Sequence, residues 1–143
     1  MGADAFITLA GEERDLVDHF RAAIEGGIDV VLDYVWGLPA EAFFKAATPK
    51  STGTAAPRIR FVNIGSVGGK SVSLSAAAVR SSGLEIVGSG LGSNSRESII
   101  DATGALFAAI GAAKFDISVI SRPLADVERA WQIKTSDRIV LTL

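Results

Sequence analysis

A chain of 143 residues with 48% hydrophobic residues and 15 glycines has the length and apolar content of one ordinary folded domain, which excludes a disordered tail. Its formal charge of -2 gives neither nucleic acid nor an anionic membrane an electrostatic reason to bind. Cysteine is absent, so disulfides and thiolate metal sites are excluded and a reducing, cytoplasmic setting is expected.

The opening MGADAFITLAG carries Asp4 in place of a basic leader, and residues 102–113, the longest smooth apolar segment, are too short to span a bilayer. Residues 5–9 read as a brief strand. Residues 12–24 read as an amphipathic helix, with Leu16, Phe20, Ala23 and Ile24 at helical spacing and acids at its start, where the macrodipole favours them. The only histidine, His19, lies in this helix as a surface or boundary residue, since a metal site needs several converging ligands. Gly26 and Gly27 end the helix, and residues 29–34 follow as a strongly apolar strand. Pro39 stands where a helix through Phe43 and Phe44 can begin.

Residues 48–57, TPKSTGTAAP, are polar, small and bounded by prolines, which predicts a connection. Phe61, Val62 and Ile64 are the apolar content of another strand, followed by Gly65, Gly68 and Gly69. A dinucleotide phosphate fingerprint would read G-x-G-x-x-G with an acidic residue about 20 positions later. The spacing here, G-x-x-G-G, does not match. A short helix over 75–81, a strand over 84–87 and a long helix ending near Ala113 come next, with Asn94 or Ser95 as its cap and Gly104 and Gly111 in its path. A strand over 115–121, a short helix over 123–131 and a terminal strand over 138–143 complete the chain.

Strands alternating with helices predict an α/β sheet with right-handed crossovers, and apolar strands suit a sheet covered on both faces. In such sheets ligands gather beyond the carboxyl ends of the strands. Three glycine-bearing ends qualify: DYVWG at 33–37, NIGSVGG at 63–69 and GSGLGSNS at 88–95. Asp33 reads first as a strand-end acid satisfied by local amides, with a ribose or substrate contact as the alternative. Trp36 suits either a cofactor ring or packing over the next helix. Tyr34 lacks a partner at informative spacing, so no catalytic residue is assigned. The apolar face of ALFAAIGAA, 105–113, reads as core.

In order and spacing, GADAFITLAGEE, GGIDVVLDYVWG, RFVNIGSVGG, LEIVGSG, RPLADVERAW and RIVLTL resemble the latter part of the medium-chain dehydrogenase/reductases, the zinc-type alcohol dehydrogenase and quinone oxidoreductase superfamily. The resemblance implies a partial, doubly wound Rossmann-like parallel sheet over 1–113, lacking the family's first two strands, and a C-terminal piece of the catalytic domain over 114–143. It implies an NAD or NADP cofactor, with Val35 and Trp36 lining the cleft, Ile64, Gly65 and Ser66 beside the nicotinamide and its ribose, and Gly88, Ser89 and Gly90 near the carboxamide. On this reading the glycine stretch supports the redox end of the cofactor. Asp137 replaces the family's usual glycine before Arg138, so neither Arg138 nor Lys134 is assigned to the cofactor.

The glycine fingerprint and any zinc cluster of the family would lie outside these residues, and no metal site is expected. Two functions follow. The chain is the cofactor-binding part of an oxidoreductase that transfers hydride between nicotinamide and a small carbonyl, alcohol or quinone, or it is a truncated, non-catalytic Rossmann-like module that self-associates. The resemblance also implies a homo-oligomer, with residues 84–87 and the segment beyond Gly88 at its interface, a small-molecule substrate in the full-length relative, and neither nucleic acid nor membrane as partner. With strands 1 and 2 absent, three outcomes are open: strand 5–9 slides over to pair with strand 29–34, a partner chain covers that edge, or the chain is a fragment of a larger polypeptide. A flavodoxin-like regulatory domain is the third alternative, but the strand ends lack its acidic cluster or flavin phosphate loop.

Overall fold

The structure, a computed structural model, describes residues 3–49, 55–114 and 117–143. They divide into two compact units, Met1–Ser95 and Arg96–Leu143.

The first unit is built on three parallel strands, β1 (Val30–Asp33), β2 (Arg58–Asn63) and β3 (Gly83–Gly88), in the order β1-β2-β3. Helix α1 (Glu13–Glu25) precedes β1, α2 (Leu38–Ala47) links β1 to β2, and α3 (Ala76–Ser81) links β2 to β3. Each connection is the helical crossover that parallel neighbours require. The expected partial Rossmann-like parallel sheet is therefore present. Pro39 sits in the first turn of α2, where its missing N–H costs nothing, and Ser75 caps α3 by accepting from the Ala78 amide at 3.0 Å.

The register sets which residues meet. Val31 lies beside Phe61 and Phe61 beside Ile86, while on the other face Val30 lies beside Arg60 and Arg60 beside Glu85. Ile59 and Phe61 of β2 are fully buried against Ala40, Phe43, Phe44 and Ala47 of α2, with Phe20 and Ile24 of α1 packed at the margin. The Phe61 ring is 4.9 Å from that of Phe44 and 5.5 Å from that of Phe43, within the range where tilted aromatic pairs attract. The opposite face carries Arg58 and Arg60, which reach Glu85 at 3.7 and 3.5 Å, and the exposed Val30, Leu32 and Val87.

Two expectations are corrected here. Residues 5–9 form no strand, and Ile7 and Leu9 lie near β1 without pairing to it. Within this unit the helices cover one face of the sheet only, as the alternation of β2, with Arg58 and Arg60 out and Ile59 and Phe61 in, requires.

The second unit contains α4 (Arg96–Ala113), β4 (Val119–Pro123), the short helix α5 (Val127–Ala130) and β5 (Arg138–Thr142). Strands β4 and β5 pair in parallel from Val119 beside Arg138 to Pro123 beside Thr142. The strand expected over 115–121 begins later, and Phe115 and Asp116 lie outside the described residues. Pro123 ends β4 instead of opening a helix, and a 3-10 turn over Leu124–Asp126 leads into α5. Within this unit no residue of α4 is buried, and Phe107 is 68% exposed, so nothing in the unit covers the apolar face expected to be core. Among the described residues no helix is long and apolar enough to cross a membrane.

Candidate functional site

All three strands of the first sheet run the same way, so their carboxyl ends, at Asp33, Asn63 and Gly88, stand in a row. The turns that follow are tied to one another by backbone hydrogen bonds. The amides of Ile64 and Gly65 donate to the Asp33 carbonyl at 2.7 and 3.1 Å, and the Ser89 amide donates to the Asn63 carbonyl at 2.8 Å. Farther along, the Gly68 amide donates to the Val35 carbonyl at 2.7 Å.

Asp33 organises this end of the sheet. Its side chain is buried, and Oδ1 accepts from the amides of Val35 and Trp36 at 3.0 and 2.9 Å, an Asx-type closure of the turn that leaves β1. Oδ2 accepts from the Asn63 side chain at 3.2 Å, and the same Asn63 nitrogen donates to the Gly65 carbonyl at 2.9 Å. Each carboxylate oxygen therefore has a partner, and the acid is a staple between two strand ends. This is the local-amide reading of Asp33, extended across the sheet by Asn63. Sequence analysis did not single out Asn63. Its only signal was a polar residue ending an apolar strand beside a glycine turn.

The glycines of NIGSVGG serve the same stapling. A β-carbon on Gly65 would stand 2.5 Å from the Tyr34 carbonyl oxygen, so the turn after β2 crosses the turn after β1 with no room for a side chain. Gly37, at φ +63°, approaches Gly68 as closely, with a β-carbon position 2.5 Å from the Gly68 oxygen. The amides of Ile64, Gly65, Gly68 and Gly69 all donate within the chain. A phosphate would need such amides free. Those four amides are therefore not available to a phosphate.

The remaining site residues divide into two groups. Trp36, at φ +59°, turns its ring inward, with centroids 6.0 Å from Phe44 and 6.3 Å from Phe61, so the indole packs over α2. Val35 is half-buried beneath Gly68. Ser66 is exposed, as are Gly88, Ser89 and Gly90, and nothing lies within 4 Å of a β-carbon placed on Gly88 or Gly90. The open surface at this end of the sheet is thus formed by Ser66 and the Gly88-Ser89-Gly90 turn. Asn94 folds back to the Gly90 carbonyl at 3.0 Å, closing the 3-10 turn over Leu91–Ser93. Among the described residues no cluster of three or more His, Cys, Asp or Glu side chains is placed to hold a metal ion.

No protein-family model and no curated protein matches the chain. Solved structures do. A mycobacterial quinone oxidoreductase superimposes with a TM-score of 0.67 at 23% identity over 92% of this chain and 39% of its own. The chain shares its fold with part of a quinone oxidoreductase. A mycobacterial protein complexed with NADPH matches with a TM-score of 0.65 at 22% identity, over 99% of this chain and 43% of its own. The quinone oxidoreductase of Pseudomonas syringae pv. Tomato DC3000 matches with a TM-score of 0.59 at 17% identity, over 90% of this chain and 40% of its own. The chain thus spans about two fifths of the length of these quinone oxidoreductase-like structures, and at such identities the likeness is one of fold.

Proposed function

We propose that the chain is a partial Rossmann-like module of the quinone oxidoreductase type that self-associates and transfers no hydride by itself. On this reading residues 1–113 correspond to an incomplete nucleotide-binding domain and 114–143 to a piece of the catalytic domain, in a cytoplasmic protein. The observation that carries it is the pairing of the strand ends with one another. Ile64, Gly65, Gly68 and Gly69 spend their amides on the chain itself, and Trp36 spends its ring on the core, so few groups remain to orient a dinucleotide. Hydride transfer demands a nicotinamide held to ångström precision, which one open turn does not provide. The outer edge of β3 supports self-association. Ile86 and Val87 are 40% and 44% exposed on a strand that, among the described residues, has a partner on one side only, and an uncovered apolar edge recruits another strand.

A second reading is favoured by the exposed Ser66 and Gly88-Ser89-Gly90 turn and by the NADPH complex among the matching structures. Here the chain is the cofactor-binding part of an NAD(P)-dependent oxidoreductase acting on a small carbonyl, alcohol or quinone. Ile64, Gly65, Ser66, Gly88, Ser89 and Gly90 would border the nicotinamide, with Val35 and Trp36 behind them. A bound nicotinamide would supply the hydride, and these residues would orient its ring and exclude water.

Titration with NADPH and NADH, followed by the fluorescence of Trp36 and Trp131, separates the two. The first reading expects no change at millimolar cofactor. Saturable quenching at micromolar cofactor establishes the second.

A further inference from the structure

The loop from β2 to α3, residues 64–75, is pinned at both ends. At the first end the Gly68 amide donates to the Val35 carbonyl at 2.7 Å and the Gly69 amide to the Ser66 carbonyl at 3.2 Å. A β-carbon on Gly69 would stand 3.1 Å from the Gly37 α-carbon, so this end sits tightly against the start of α2. At the other end the Ser75 side chain caps α3, and the Ser75 carbonyl accepts from the Val79 amide at 3.2 Å.

Between these anchors, Lys70 to Leu74 pair with no other backbone group among the described residues. Side chains hold them instead. The Ser73 amide donates at 2.8 Å to Oε1 of Glu41, in the first turn of α2, and Val72 packs half-buried against the cluster that contains Phe44 and Phe61. The hydrogen bond is exposed, so water can take over both partners and breaking it leaves nothing stranded. Beside the segment lies a cavity of about 350 Å³, lined by Ser73 and Leu74 together with Glu41, Phe44, Thr48 and Ala78.

We infer that residues 70–74 are a flap latched to α2 by the Glu41 carboxylate. When the latch releases, the flap hinges on its two anchored ends, Val72 leaves the core, and the cavity opens toward Phe44, which is 1% exposed while the flap is closed. Anchors, latch and plug all lie within residues 35–79, and the flap needs neither a cofactor nor a second copy of the chain.

The chain has no cysteine, so a single introduced thiol reports the opening without background. Val72→Cys is treated with a thiol reagent by itself and combined with Glu41→Ala or Glu41→Gln. Val67→Cys, at an 88% exposed position of the same loop, gives the unhindered rate, and Ile59→Cys, fully buried in β2, reports global unfolding. Val72→Cys should react at least about ten-fold more slowly than Val67→Cys. Glu41→Ala, which removes one hydrogen bond, should speed it about five- to ten-fold, and Glu41→Gln, whose amide oxygen still accepts, should keep it within about three-fold of the parent. The Ile59→Cys rate should not change. Reaction of Val72→Cys at the Val67→Cys rate with Glu41 intact overturns the inference. So does a rate that Glu41→Ala leaves unchanged, one that Glu41→Gln raises as far as Glu41→Ala, or one that rises only in step with Ile59→Cys. On the unsubstituted chain the Ser73 amide should exchange hydrogen at least about five-fold more slowly than the Ser71 amide, and equal exchange at the two overturns the inference whichever variants fold.

Discussion

Asp33 holds two strand ends with one carboxylate. Its bonds to the amides of Val35 and Trp36 follow from sequence neighbours two and three positions on, so a local reading of the residue finds them. The bond from Asn63, thirty positions away, exists only because β1 and β2 are paired. Replacing the acid leaves two partly buried turn amides without their acceptor and removes one of the two acceptors of the Asn63 amide. Asp33→Ala should lower stability by about 2 kcal/mol in urea unfolding, and Asn63→Ala by about half as much. Gly65 and Gly88 look equivalent in the sequence, each following a strand. Gly65→Ala sets a methyl against the Tyr34 carbonyl and should cost about 1–3 kcal/mol, whereas Gly88→Ala meets open space and should stay within about 0.5 kcal/mol. Equal losses in the two variants would show that the turn after β2 does not cross Tyr34 as described.

Among the elements, the first unit turns on the pairing of α2 with β2. Phe61 is 1% exposed and touches the rings of Phe43, Phe44 and Trp36, so Phe61→Ala should cost about 3–5 kcal/mol, measured by thermal or urea unfolding. Most of these elements were legible in advance because each carries its own signal: acids opening α1, Pro39 opening α2, and apolar runs for β1 to β3. Residues 5–9 carry a strand signal of the same kind and form no strand, so propensity alone does not pair a segment with a neighbouring edge. The apolar face of α4 has the converse lesson. Its composition says that the face should be covered, but exposure of Leu106, Phe107 and Ile110 depends on what is packed there. At β4 the strand starts late and absorbs Pro123, because pairing with β5 continues to Thr142 and Pro is tolerated at a strand end.

For the whole molecule, the prediction concerns association. Sedimentation equilibrium over a concentration series should show self-association, and Val87→Lys, which places a charge on the exposed β3 edge, should shift the population toward monomer. A monomer at every concentration would exclude the self-associating reading. The order of six sequence segments was enough to suggest a Rossmann-like sheet, and the fold shared with quinone oxidoreductases over two fifths of their length agrees with it. What the sequence determined by itself were features written within a dozen residues: helix starts, strand composition, the absence of cysteine, and a glycine spacing unfit for a phosphate. Only the tertiary structure decided what those glycines are for, which way Trp36 faces, and which edges and faces stay open. Those properties are contacts between segments distant in sequence, and a contact is set by the pairing of strands and the packing of helices, which no single stretch of residues encodes.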